Sequence, residues 1–201
     1  MALTDLQLRR FTIDEYNQMA ELGILREGER VELIDGIILP LAAHNAEHSD
    51  GVAYSTTLLV NAYGKDHLIR VQLPVEVPDS SEPEPDFSIV PRRGARKGKR
   101  HPLYAPLVIE VANTSLAYDR KVKASLYASA GVPDYWILNV RDRQVEVHRD
   151  PVPDSSAAFG WTYASLSIVA EGAAVTALAL EPVPFPVTEM LGPGQDDEDE
   201  E

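Results

Sequence analysis

Glu110 stands in the run Leu107-Val108-Ile109-Glu110-Val111-Ala112, apolar on both sides of the acid. Such a run reads as a strand covered on both faces. A lone ionised carboxylate is costly there and needs a cation, a donor or a proton. A Glu paired with a buried Arg or Lys, or one at an exposed strand end, satisfies the same pattern. Asp86 follows Pro83 and Pro85 and opens a second short strand; Pro-Asp is also a common turn or cap. Two carboxylates at neighbouring strand ends can share a divalent ion, which polarises a phosphate and lowers the pKa of water. Lys123 lies on the helix that directly follows the Glu110 strand and can return across that strand's end. There an ammonium can orient a water and steady developing charge. Its alternative is an ordinary i,i+4 pair with Asp119 on a wet helix face. Lys121 is the weaker candidate, roughly 200° of helical turn away. Glu32, polar within Val31-Glu32-Leu33-Ile34, faces either this site or solvent. His48, at the start of a helix, can contact a phosphate or a metal-bound water, or simply cap the helix.

The elements that position these groups are legible in the same sequence. Thr12 and Glu15 have the spacing of a capping box before a helix that ends near Gly23. Residues 31–41 read as two strands joined at Asp35-Gly36. A helix follows over 47–63, with Val52, Leu58, Leu59 and Ala62 on its buried side and Gly51 weakening its start. Strands are expected over 69–77, 86–90 and 107–112, with a proline-rich acidic loop over 79–85. A helix over 116–130 is stopped by Gly131 and Pro133. Residues 135–140 and 144–149 form a hairpin, and short strands continue over 161–180. After Leu180 the chain is rich in proline and then in acid, which reads as a disordered tail. The order of elements predicts an α/β fold with a central mixed sheet flanked by helices.

Composition narrows the chemistry. The 201 residues include no cysteine, so disulfides and thiolate metal sites are excluded. Any metal is held by carboxylates, imidazoles, carbonyls or water, a donor set that suits magnesium or manganese. No signal-peptide core and no membrane-length apolar run is present, so a cytoplasmic protein without membrane partners is expected. The net charge is −14, and setting aside the six acids from Asp196 to Glu201 leaves 26 acids against 18 bases, a net of −8. That argues against a broad basic nucleic-acid surface. The one basic stretch runs from Arg92 to His101, with Arg92 and Arg93 at its start. It can touch phosphates, or it is a solvated loop.

Several blocks in this order resemble the Uma-type putative restriction endonuclease family of the PD-(D/E)XK nuclease superfamily. They are Phe11-Thr12-Ile13-Asp14-Glu15-Tyr16, Arg30-Val31-Glu32-Leu33-Ile34-Asp35-Gly36, Glu47-His48-Ser49 and Glu84-Pro85-Asp86-Phe87. They continue with Pro106-Leu107-Val108-Ile109-Glu110-Val111, Tyr118-Asp119-Arg120-Lys121-Val122-Lys123 and the most specific block, Leu126-Tyr127-Ala128-Ser129-Ala130-Gly131-Val132-Pro133-Asp134-Tyr135-Trp136-Ile137. The segment before His48 departs from the pattern, reading Ala42-Ala43-His44-Asn45-Ala46 without the usual prolines. So does Ala112-Asn113-Thr114-Ser115-Leu116 after the second acid. The resemblance implies a restriction-endonuclease-like domain over residues 1–190 and a disordered acidic tail over 191–201. It implies a metal-dependent endonuclease acting on DNA, with magnesium or manganese held by Asp86, Glu110 and the Val111 carbonyl. Lys123 and Glu32 would complete the catalytic group, with His48, Arg92 and Arg93 on the substrate and a homodimer as the assembly. The acidic body also fits a catalytically quiet module of the same fold that binds nucleic acid or protein.

Overall fold

The computed structural model describes residues 8–77, 80–93 and 100–193. Helix α1 (Ile13–Glu21) begins with the expected capping box. The Glu15 amide donates to Thr12 Oγ1 at 3.2 Å and the Thr12 amide to the Glu15 carboxylate at 3.0 Å. Ile13 and Tyr16 of α1 pack on Leu33. Leu33 belongs to the hairpin of β1 (Val31–Ile34) and β2 (Ile37–Pro40), whose turn places Asp35 and Gly36 at φ 49° and 71°. Gly36 is required twice over: a Cβ there would sit 2.5 Å from Arg10 Cβ and 2.9 Å from the Phe11 carbonyl oxygen.

Helix α2 (Ala46–Tyr63) is capped by Asn45, whose side chain accepts from the His48 amide. Its fully buried residues are Gly51, Ser55, Leu59 and Tyr63, one turn apart, while Val52, Leu58 and Ala62 are only partly buried. The inward face is therefore rotated from the one expected. Gly51 marks close packing, because a Cβ there would lie 3.0 Å from Val111 Cγ1.

The central sheet has six strands in the order β3-β4-β5-β6-β7-β8. These are β3 (His67–Val71), β4 (Phe87–Pro91), β5 (Leu107–Ala112), β6 (Asp134–Asn139), β7 (Gln144–Pro153) and β8 (Trp161–Ala170). The β5–β6 pair is parallel and the other pairs are antiparallel, which makes the sheet mixed as expected. A parallel pair needs a crossover. It is supplied by α3 (Leu116–Tyr118), a π-helical turn (Asp119–Lys123) and α4 (Ala124–Ser129), which follow without a break. Alternation along β5 sends Leu107, Ile109 and Val111 into the core under α2, and Val108 and Ala112 into the core under α4. Glu110 shares the second face and so looks toward the crossover.

Two expectations need correction. The strand expected over 69–77 ends at Val71, because Gln72 adopts φ 50° and turns the chain out of the sheet. The stretch after Leu180 is not a tail at its start. Pro184–Pro186 forms β10, paired with β9 (Ala174–Thr176), and Val187–Leu191 forms α5. Phe185, Val187, Met190 and Leu191 are buried against α2 and the sheet. Proline is tolerated in β10 because this two-stranded ribbon needs few ladder donors. The acidic run at 196–201 lies outside the described residues, as do Arg96, Lys97 and Lys99 of the basic stretch.

Candidate active site

A cleft of about 510 Å³ opens where the carboxyl end of β5, the amino end of β4, the start of α2 and the crossover helix meet. Five carboxylates line it: Glu32, Glu84, Asp86, Glu110 and Asp119. Against them stand Lys123 and Arg30.

Lys123 is 3% exposed, so the wet-face alternative does not hold. Its Nζ lies 2.6 Å from Glu32 Oε2 and 3.2 Å from Glu110 Oε1. The π-helical turn positions it. The Ala124 amide donates back to the Asp119 carbonyl, and the two buried residues of the turn, Asp119 and Lys123, both line the cleft. Tyr135 also donates to the Asp119 carbonyl, at 3.2 Å. Asp119 itself accepts from Ser115 Oγ at 2.6 Å.

Glu110 is held by three donors. Tyr127 OH and Lys123 reach Oε1 at 2.8 and 3.2 Å, and the Asp86 amide reaches Oε2 at 3.2 Å. Asp86 in turn accepts the Val111 amide on Oδ2 at 2.8 Å and Gln72 Nε2 on Oδ1 at 3.1 Å. Glu110 is thus clasped to the backbone of Asp86, and Asp86 to that of Val111, the residue after Glu110. Glu32 completes the group: the Glu84 amide donates to Oε2 at 3.2 Å and Tyr118 OH to Oε1 at 3.3 Å.

His48 reaches the two central acids' strand ends from the start of α2. Its Nδ1 is 2.8 Å from the Val111 carbonyl oxygen, and its Nε2 is 3.1 Å from Asp86 Oδ1. His44 stacks on it, with ring centroids 4.2 Å apart and an interplanar angle of 26°. Ligand atoms of His44, His48 and Asp86 all lie within 4.8 Å of one another.

The electrostatics follow from burial and surplus negative charge. Burial opposes a charged Lys123, but Glu110 and Glu32 outweigh it and raise its pKa, so it remains an ammonium. Burial pushes Glu110 up to about 8 despite Lys123, and Asp119 up to about 6 despite Ser115. Asp86 goes the other way: burial would raise it, but His48, the Val111 amide and Gln72 hold it below the usual range. For His48, burial is outweighed by Asp86 and the Val111 carbonyl, which raise it.

The structure thus brings together Asp86, Glu110, Lys123, Glu32, Val111 and His48. It does not bring Arg92 and Arg93 to them. Both follow the far end of β4, six and seven residues from Asp86, a span of about 20 Å or more along a strand. Arg92 Nε donates to the Lys65 carbonyl at 3.0 Å and Arg92 Nη2 to that of Gly64, behind the end of α2. Sequence reasoning missed His44, Gln72, Tyr118, Asp119 and Tyr127. The helical spacing of Asp119 and Tyr127, four residues either side of Lys123, was a signal for the latter two; Gln72 had none.

No curated protein sequence matches the chain. Among solved structures, a protein titled a "putative nuclease belonging to DUF820" from Anabaena variabilis ATCC 29413 is similar. It has a TM-score of 0.62 and 14% identity over 90% of this chain and 97% of the other. That likeness is one of fold, and it agrees with the restriction-endonuclease-like architecture. A family description matches residues 13–198, and on that match the chain belongs to the Uma2 family, "Putative restriction endonuclease".

Proposed function

We propose that the chain is a metal-dependent endonuclease that hydrolyses DNA phosphodiester bonds in this cleft. The observation that carries the reading is the convergence of Asp86, Glu110, Glu32 and Lys123 in an open cleft with more carboxylates than cations. That donor set fits a divalent ion, with Asp86, Glu110 and the Val111 carbonyl as the protein's ligands and magnesium or manganese as the ion. When bound, such an ion polarises the scissile phosphate and makes water a better nucleophile at neutral pH.

The protein's own groups have separate tasks. Lys123 stays charged and is pinned between Glu32 and Glu110, so it serves as a fixed positive point for an attacking water and for charge developing on phosphate oxygens. It is not a proton acceptor in that state. Glu32, hydrogen-bonded to Lys123 and Tyr118, is the group placed to take the water's proton. Tyr127 and the Asp86 amide hold Glu110 in one orientation. A homodimer would offer two clefts to the two strands of a duplex.

The test is incubation of purified protein with linear and supercoiled DNA, and with RNA, under magnesium, manganese and chelator. DNA cleavage that needs the metal and is lost in Glu110→Gln is the expected result. A wild-type protein that cuts no nucleic acid under any divalent ion overturns the reading.

A further inference from the structure

The hydrolytic assignment leaves His44 without a role. We propose that His44, together with His48 and Asp86, forms a nitrogen-bearing metal site that takes a first-row transition ion, of the iron-to-zinc series, in preference to magnesium. The inference rests on the reading that the cleft binds a divalent cation, and it names which cation this chain selects.

His48 presents one ring nitrogen to a backbone carbonyl and the other to a carboxylate. The Val111 carbonyl can only accept, so His48 Nδ1, 2.8 Å away, carries the hydrogen. That leaves Nε2 as the atom facing Asp86 Oδ1 at 3.1 Å. Nε2 is fully buried and makes no hydrogen bond of acceptable geometry. Two such atoms are held together by a cation, either a proton on Nε2 or a metal ion that takes its place. An imidazole that donates one nitrogen to a backbone carbonyl and turns the other toward a carboxylate has the second-sphere arrangement of a metal-ligating histidine.

His44 adds a second imidazole beside this pair. Its ligand atom lies within 4.8 Å of those of His48 and Asp86. Coordination at about 2.1 Å holds neighbouring ligands roughly 3–3.5 Å apart, so the ring has to close by at most about 1.5 Å. It is exposed and just ahead of the Asn45 cap of α2, and it closes by giving up its stack on His48. Its present partners are Arg30 Nη1, 2.6 Å from Nε2, and Gln72 Nε2 at 3.2 Å. A metal at Nε2 takes the place of the Arg30 guanidinium, which keeps Glu84 at 3.5 Å as its counter-ion. Gln72 also donates to Asp86 Oδ1, so it ties the two sides of the site together.

Selectivity follows from donor chemistry. Magnesium favours an all-oxygen shell and sheds water reluctantly, whereas imidazole nitrogen favours the later first-row ions, from iron to zinc. One imidazole beside the Asp86 carboxylate leaves magnesium competitive; two tilt the site toward transition ions.

Cobalt(II) titration of the full chain without nucleic acid, followed by its visible absorption bands, tests this directly. Magnesium affinity is read in parallel by calorimetry. Wild type is expected to bind cobalt more tightly than magnesium. His44→Gln, which keeps an acceptor for Arg30, and His44→Ala are each expected to weaken cobalt binding about tenfold or more and to alter its bands. Magnesium affinity should stay within about twofold. Cobalt affinity and bands unchanged in both variants overturn the proposal. A chain that binds cobalt through His44 but cuts no DNA keeps this site and loses the hydrolytic reading. A chain that cuts DNA yet binds cobalt without regard to His44 does the reverse.

Discussion

Asp134 and Asp86 are both buried carboxylates of the central sheet, yet their surroundings differ in kind. Asp134 is fully buried and its four acceptor positions are filled. Trp136 Nε1 and Arg149 Nε reach Oδ1 at 2.8 and 2.9 Å, and Arg149 Nη2 and the Leu178 amide reach Oδ2 at 3.2 and 2.7 Å. Its charge is matched by Arg149. Asp86 has two donors, one ion-pair contact with His48 Nε2 at 3.1 Å, and four other carboxylates lining the same cleft. Burial of an acid is therefore no mark of function here. What distinguishes the cleft is acceptor capacity and negative charge left over after the protein's own donors are counted, and that remainder is what a cation can use.

The largest expected effect breaks the comparison at Lys123, which belongs to both categories. Lys123→Ala should reduce cleavage by at least about 10²–10³-fold, since it removes the fixed charge of the site. It should also cost about 3–5 kcal/mol of stability, because Glu32 and Glu110 are left buried without their cation. Denaturant unfolding beside a cleavage assay reads both. Asp134→Ala should cost a similar 3 kcal/mol or more by leaving Arg149 and the indole donor unmatched, while cleavage per folded molecule stays within about twofold.

Glu82 represents a third solution, an acid that carries its own proton. It is 2% exposed, accepts from Asn17 and has His101 Nε2 3.9 Å away, and burial raises its pKa to about 7. Because the folded value lies above the unfolded one near 4.5, its contribution to stability is fully present below pH 4.5 and is lost as pH rises through 7. Glu82→Gln should stabilise the protein at pH 8 by up to about 3 kcal/mol, with the gain vanishing near pH 5. Chemical denaturation at the two pH values checks it. A smaller effect concerns the metal: at one hundred times its dissociation constant, a bound ion should stabilise the native state by about 2.7 kcal/mol. Thermal melts should show this shift in Asp134→Asn and lose it in Asp86→Asn.

Much of the site was readable from local pattern. Glu110 announced itself as an acid inside an apolar strand, and the bland alternative, pairing with a buried lysine, turns out to be realised by Lys123, the residue assigned to the site. Asp35-Gly36 and Thr12-Glu15 were readable because turn and cap chemistry is decided within four residues. His44 and Gln72 were not, because their role depends on partners 4 to 42 positions away that only the folded backbone brings near. The same holds for the inward face of α2, set by the approach of Gly51 to Val111, and for β10 and α5, whose few apolar residues are held by contacts with α2. The basic stretch shows the same limit: charge alone could not tell that the strand carries Arg92 and Arg93 to the end of β4 opposite Asp86.

Titration calorimetry of manganese into the wild-type chain, Asp86→Asn and Asp134→Asn tests the leftover-charge account most directly. Binding of one ion by the wild type and by Asp134→Asn, with loss of binding in Asp86→Asn, is the predicted result. Equal binding by all three, or none by the wild type, would contradict it.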